Sequence, residues 1–277
     1  MEIPSSVIDF LNRALEEDIG PGDITTSLLI PEDHESKALY IAKENFVLAG
    51  LPFVREVFRI LDSSTDFKVF FHEGSPIKKG DILAKVSGKT QVILKGERVS
   101  LNILQKLSGI ATLTSMYVNM IKGLKARIVD TRKTTPCQRF MEKYAVRTGG
   151  GDNHRFGLFD GILIKDNHIE AIGNIRETVK LAKTGHHLLK IEVEVENLND
   201  LREAIDAGAD IIMLDNMLLS DIQKAVKISA GRVILEASGG IKMENVREIA
   251  EAGVDLISVG ALTHSAKSVD ISLKIVR

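Results

Sequence analysis

LLKIEVEVENLNDLREAIDAGADIIMLDNMLLSDIQKAVKISAGRVILEASGG, residues 188–240, holds three short apolar runs separated by two amphipathic stretches. The runs at 188–195, 210–215 and 232–237 have strand length, and the stretches at 198–207 and 218–229 have helical spacing. Strands that alternate with helices pair in parallel, because the helix carries the chain back across the sheet. The same texture extends outward to apolar runs at 126–130, 161–165 and 255–260, and to a helix at 243–252. Six strands of this kind predict an open, incomplete (β/α) barrel, with a doubly wound sheet as the alternative.

Residues 1–110 lack that period and read as a small α+β domain. Ser5 or Ser6 is expected to cap a helix through Glu17, and EDIGPGDITTSLL follows as a turn-rich loop. Residues 36–49 and 66–72 read as strands, and 51–62 as a helix entered through Pro52. Two short strands surround the Lys-Lys-Gly-Asp turn of 73–88. That stretch resembles a lipoyl or biotinyl carrier, but no exposed lysine flanked by small residues marks a hairpin tip, so the likeness is architectural. A helical pattern from Gly96 to about Leu124 follows, with an interruption expected at Ser108-Gly109.

With 277 residues the chain can bury a large core, and a net charge of -2 gives no general attraction to nucleic acid or to membranes. A single cysteine excludes an internal disulfide framework and fits the reducing cytoplasm. Neither a signal peptide nor a membrane span is apparent. The scarcity of cysteine and the wealth of Lys, Glu and Ile hint at a thermophilic source.

Against this nearly neutral background the cations of 129–168 are local: Arg132, Lys133, Arg147, His154, Arg155 and Lys165, around a triple glycine at Gly149–Gly151. Guanidinium forks and ammonium groups beside glycines suit a polyanion; a solvated basic loop is the bland alternative. In β/α barrels the active site lies at the carboxyl ends of the strands, so the residues there matter most. They are Asp130, Arg132 and Lys133; Lys165 to His168; Glu192, Glu194 and Glu196; Asp215-Asn216; Glu236 to Gly240; and Gly260-Ala261 with His264.

Three tasks divide among them. Ser238-Gly239-Gly240 and Gly260 follow the last two strands, where glycine lets backbone N–H groups approach a phosphate. Glu194 and Asp215 can hold a hard cation such as Mg2+, or sugar hydroxyls, unless they only balance nearby Lys and Arg. Glu192, Glu194 and Glu196 share a strand face, so at least one should point into the barrel. The basic cluster is left for further anionic groups. A phosphorylated sugar with a pyrophosphate, and an acidic co-substrate, fit this division.

These stretches resemble the quinolinate phosphoribosyltransferases. The matching motifs run in order over nearly the whole chain: EDIGPGDITT (17–26), GERVSLNILQKLSGIAT (96–112), DTRKTTP (130–136), EKYAVRTGGGDNHR (142–155), LIKDNHI (163–169), EVEVE (192–196), MLDN (213–216), LEASGGI (235–241) and ISVGALTHSA (257–266). CQRF at 137–140 departs from the family's usual Gly-Leu-Arg.

The resemblance implies a hammerhead-like α+β domain over 1–110, completed by the tail at 268–277, and an open barrel over 111–267. It implies transfer of phosphoribose from 5-phosphoribosyl 1-pyrophosphate to quinolinate with Mg2+, in NAD biosynthesis. By the same resemblance Arg132, His154 and Arg155 bind the quinolinate carboxylates, joined by Arg98 from the partner subunit of a homodimer or higher even oligomer. Lys133 and Lys165 hold pyrophosphate and substrate anions. Glu194 and Asp215 contact ribose and metal, and Ser238, Gly239, Gly240 and Gly260 cradle phosphate near His264. Taken alone, Arg98 reads as a surface residue at a helix start. Rival readings are a relative with nicotinate as acceptor, a Schiff-base lyase using Lys133 or Lys165, and a non-catalytic sensor of phosphorylated sugars.

Overall fold

The computed structural model describes residues 2–185 and 187–276. In chain order it begins with α1 (Ser5–Ile19), α2 (Ile24–Leu29), β1 (Glu35–Ala42), β2 (Phe46–Val47), α3 (Leu51–Leu61) and β3 (Asp66–Val69). There follow β4 (Pro76–Ile77), β5 (Ile82–Lys89), α4 (Thr90–Met120), β6 (Arg127–Val129), α5 (Arg139–Thr148), β7 (Ile162–Ile164) and α6 (Asp166–Ile172). The alternation continues through α7 (Ile175–Lys183), β8 (Ile191–Val195), α8 (Leu198–Ala207), β9 (Ile211–Asp215) and α9 (Leu219–Ser229). It ends with β10 (Ile234–Ser238), α10 (Val246–Glu251), β11 (Leu256–Ser258), α11 (Ala261–His264) and β12 (Ile271–Val276). Two compact units result: one of Met1–Ser115, Thr134–Gly150 and Leu262–Arg277, the other of Met116–Lys133 and Gly151–Ala261.

In the first unit an antiparallel sheet runs in the order β12-β1-β5-β3. Ala38, Tyr40 and Ala42 alternate inward along β1 and meet Phe58, Phe67, Leu83, Ile93 and Leu104 in one core. That period of two is what a sheet with one buried face requires. β1 pairs with β12 from Lys37↔Val276 to Ala42↔Ile271, so the carboxyl-terminal strand forms an edge of this sheet. The N-terminus of α3 is capped from outside the helix. Glu73 accepts hydrogen bonds from the N–H groups of Gly50 (2.7 Å) and Leu51 (2.9 Å), and from the Tyr144 hydroxyl (2.9 Å). Burial pushes the pKa of Glu73 up against these bonds.

Four local expectations are corrected here. EDIGPGDITTSLL is not all loop: α2 (Ile24–Leu29) forms within it, capped by the Asp23 side chain accepting from the Thr26 N–H. Neither Ser5 nor Ser6 caps α1; Pro4 is the N-cap residue and makes no side-chain cap bond. The apolar run 36–49 is two strands, β1 and β2, separated by a bend at 43–44. And α4 runs unbroken through Ser108-Gly109. A Cβ on Gly109 would lie 2.0 Å from the carbonyl oxygen of Lys267, so the glycine admits a neighbouring backbone rather than ending the helix.

The second unit is built on an all-parallel sheet in the order β6-β11-β10-β9-β8-β7. Its terminal strands β6 and β7 each have a strand partner on one side only among the described residues, so the sheet is open, as the alternation predicts. Val193, Ile212, Leu235 and Ile257 are almost wholly buried on one face. The opposite face carries Glu192, Glu194, Met213, Asp215, Glu236 and Ser238, in registers Glu194↔Met213, Glu236↔Met213 and Ser238↔Asp215. Polar caps fix the helices between: Asn174 accepts from the Glu177 N–H before α7, and Asn197 from Asn199 and Asp200 before α8.

Candidate active site

Beyond β6 the chain turns at Asp130, which is fully buried. Its Oδ1 accepts the His154 N–H at 2.9 Å, and its own N–H donates to the Asp152 carbonyl at 3.1 Å. The loop 151–154 is thereby pinned beside the end of β6. His154 Nδ1 accepts from the Arg155 N–H (2.8 Å), while Nε2 lies 3.0 Å from Glu192 Oε2 and 3.7 Å from Glu236 Oε2. A ring nitrogen that accepts carries no proton, so this geometry places the neutral ring's proton on Nε2, facing Glu192.

Glu236 is fully buried and Glu192 nearly so. Burial first, and then the neighbouring charge of Glu192, raise the Glu236 pKa to about 7. Arg155 Nη1 donates to the Gly161 carbonyl at 3.0 Å, while its buried Nε has no hydrogen-bond partner among the described residues. Burial and then the charge of Arg132 lower its pKa, and Glu192 and Asp160 oppose them. Two guanidinium groups within electrostatic reach repel one another, and an anion bound between them relieves that repulsion.

On the neighbouring strands Lys165 Nζ donates to Glu194 Oε2 at 2.8 Å. The Lys165 N–H donates to His168 Nδ1 at 2.9 Å where α6 begins. Asp215 Oδ2 accepts from its neighbour Asn216, whose own N–H donates to the Ser238 carbonyl at 2.9 Å. Gly239 and Gly240 follow with φ of +81° and +62°, and a Cβ on Gly239 would lie 2.2 Å from Asn216 Oδ1. Only glycine fits that turn, both for its dihedral and for its neighbour.

Lys133, Gly260 and the residues above thus share the second unit, most of them at or just past strand carboxyl ends. Arg98 and His264 belong to the first unit. Arg98 is exposed on α4 and lines a groove of about 550 Å³ with Asp9, Arg13, Lys106 and Gln138. His264 closes α11, with Nδ1 2.6 Å from Ser265 Oγ.

The triple glycine has a partly different role from the one expected. A Cβ on Gly149 would lie 2.4 Å from the Ala111 carbonyl oxygen, so this residue serves the packing of α5 on α4. Residue-by-residue reading missed the buried layer of Glu192 and Glu236 under His154. The available signal was a glutamate inside an otherwise apolar strand, as in IEVEV and ILEAS.

Among the described residues one group has three metal-ligand side chains close together, His154, Glu192 and Glu236, within 4.8 Å of one another. Glu194 and Asp215 are not part of such a group. Their carboxylates suit an ion such as Mg2+, which keeps most of its waters and takes one or two protein oxygens beside substrate phosphates.

An open parallel β/α sheet with cations past both terminal strands, β6 and β7, and glycine-bounded turns past the interior strands β10 and β11 defines an enzyme of the α/β-barrel class that handles polyanions. The chain belongs to the quinolinate phosphoribosyltransferase family: its C-terminal domain description matches residues 110–274 and its N-terminal domain description residues 23–108. A Bacillus subtilis protein described as a probable nicotinate-nucleotide pyrophosphorylase (carboxylating) is 45% identical over 96% of this chain and 92% of its own length. A Methanocaldococcus jannaschii protein of the same description is 45% identical over 98% and 97%. The structure of the nicotinate-nucleotide pyrophosphorylase from Francisella tularensis superposes with a TM-score of 0.93 at 42% identity, covering 99% of this chain and 98% of that one.

Proposed function

We infer that this chain is a quinolinate phosphoribosyltransferase: it joins quinolinate to 5-phosphoribosyl 1-pyrophosphate and releases nicotinate mononucleotide, pyrophosphate and CO2, a step of NAD biosynthesis. Full-length relatives of that description support this reading, and none of those named is a lyase. The observation in the chain itself that carries it is that the half-buried Arg155 stands within electrostatic reach of Arg132. A pyridine with adjacent carboxylates presents two negative groups, which two guanidinium forks match.

The chemistry uses the groups in turn. The pyridine nitrogen attacks C1 of the sugar, and the C1–oxygen bond breaks with its electron pair leaving on pyrophosphate. Glu194 and Asp215, past the Lys165 ion pair, stabilise the positive charge that builds on the ribose. Lys133 and Lys165 meet the leaving pyrophosphate, and Ser238 to Gly240 with Gly260 take the 5-phosphate. Once ribosylated, the pyridinium accepts the electron pair of the C2–carboxylate bond, CO2 departs, and C2 takes a proton from water. No separate electron-sink cofactor is needed. Mg2+, when bound, neutralises charge on the pyrophosphate, and Glu194 and Asp215 are the residues to hold it or the ribose hydroxyls.

Arg98, exposed on α4, completes the acceptor subsite of a second copy, which makes the working unit a homodimer or a higher even oligomer. No helix among the described residues is long and apolar enough to cross a membrane, and cytoplasmic residence fits the lone cysteine. Incubation with phosphoribosyl pyrophosphate and Mg2+, with quinolinate or nicotinate as acceptor, tests the assignment. Nicotinate mononucleotide should form from quinolinate. Turnover of nicotinate alone would overturn it.

A further inference from the structure

The buried trio His154, Glu192 and Glu236 lies outside the roles assigned so far to metal, ribose and phosphate. Three observations constrain it. His154 is fixed at three points: its N–H by Asp130, its Nδ1 by the Arg155 N–H, and its Nε2 by Glu192 at 3.0 Å. Glu192 and Glu236 reach the same ring nitrogen from two strands, β8 and β10, that are separated in the sheet by β9. Among the described residues Glu192 Oε1 and both Glu236 oxygens are buried without a hydrogen bond of good geometry, and the ring of His154 is the group both carboxyls approach, with Ser258 also beside Glu236.

The donor set could suggest a divalent cation, with one imidazole and two carboxylates. The ring geometry argues against it. A metal on Nε2 of a neutral imidazole would require the proton on Nδ1, where it would face the Arg155 N–H at 2.8 Å, donor against donor. With the proton on Nε2 both nitrogens are satisfied and Glu192 serves as the acceptor.

We propose that Glu192 and Glu236 are positioning residues of the acceptor subsite: Glu192 accepts the Nε2–H of His154 at 3.0 Å, Glu236 backs the ring at 3.7 Å, and through the His154–Arg155 backbone bond they fix where the Arg155 guanidinium stands. The link is direct, since the residue whose N–H is held by the ring is the residue whose guanidinium lies within electrostatic reach of Arg132. Glu192 is also within electrostatic reach of Arg155 and opposes the repulsion from Arg132. The two acidic side chains thus hold the cationic wall in place before the dicarboxylate arrives, and the loss of Glu192, which makes the hydrogen bond, loosens the arginine that reads the acceptor. The proposal rests on the function inferred above.

Two measurements test it independently. In the intact enzyme labelled with 15N-histidine, long-range 1H–15N spectra should show His154 as the Nε2–H tautomer; the signal is assigned by its loss in His154→Asn. Titration with Mg2+, Mn2+ or Zn2+ should leave that signal unmoved. An Nδ1–H ring, or a shift on adding a metal, overturns the proposal. Kinetically, Glu192→Leu should raise the KM for quinolinate about 10- to 100-fold, in the range found when partners that orient a site residue are removed, with the KM for phosphoribosyl pyrophosphate within about twofold. Glu192→Gln keeps an acceptor oxygen and should recover most of that loss. Equal loss for both substrates, or no loss, overturns the proposal. Should Glu192→Leu not fold, the Gln variant and the wild-type tautomer decide. Absence of any quinolinate turnover by the wild type would instead refute the functional assignment and leave the spectra to judge the positioning claim.

Discussion

Lys165 Nζ lies 2.8 Å from Glu194 Oε2, joining a group suited to phosphate with one suited to a ribosyl cation. The lysine side chain is 46% exposed and the glutamate 13%, so solvent screens the pair and it adds little to stability. Glu194→Gln should therefore leave the melting temperature nearly unchanged. Turnover should fall on the order of 100-fold or more, because the carboxylate acts where charge develops. Calorimetry beside steady-state kinetics separates the two effects, and parallel loss of stability and rate would make Glu194 structural.

Arg132→Ala removes one of the two guanidinium forks of the acceptor wall. Loss of a charge-assisted pair costs roughly 1.5–3 kcal/mol, so quinolinate affinity should fall on the order of 10- to 100-fold. Titration calorimetry with phosphoribosyl pyrophosphate should give a nearly unaltered affinity. Equal loss of both ligands would contradict the assignment.

Glu236 is held protonated to higher pH in the fold than in the unfolded chain, with its pKa raised from 4.5 to about 7 by burial first and Glu192 second. Between those values the native state binds the proton and the unfolded state does not. Stability therefore falls as pH rises through that window and levels off above it. Glu236→Gln removes this contribution. The variant should gain stability over the wild type at pH 8, on the order of a few kcal/mol, and gain little at pH 4. Denaturant melts at the two pH values check the sign.

Gly239→Ala places a methyl group 2.2 Å from Asn216 Oδ1 on a backbone with φ of +81°. Strain of about 1–3 kcal/mol is expected, with weakened binding of phosphoribosyl pyrophosphate and little direct effect on quinolinate. Cys137 presents the opposite case, a non-glycine residue at φ +64°, in the segment that departs from the family's usual Gly-Leu-Arg. Cys137→Gly should raise stability by about 0.5–1 kcal/mol, since relief of left-handed strain exceeds the entropy that glycine adds to the unfolded chain. Thermal melts of both variants test these signs.

The parallel sheet was legible in the sequence because its strands are buried on both faces and its helices are amphipathic, so the period changes at each boundary. The strand ends were legible for the same reason: polar residues that follow an apolar run stand out. Gly109 misled because a glycine that admits the Lys267 carbonyl looks the same in sequence as one that ends a helix. The trio of His154, Glu192 and Glu236 was not legible, because its members meet only across register, from two strands and a loop far apart in the chain. The capping of α3 by Glu73 was hidden likewise, since donor and acceptor lie more than 20 residues apart.

The most direct test of the account uses quinolinate labelled in its 2-carboxylate, with phosphoribosyl pyrophosphate and Mg2+. Labelled CO2 should be released in equal amount with pyrophosphate and nicotinate mononucleotide, and only when the pyrophosphate sugar is present. Release of pyrophosphate with the label retained in the product, or no release at all while nicotinate is ribosylated, would contradict it.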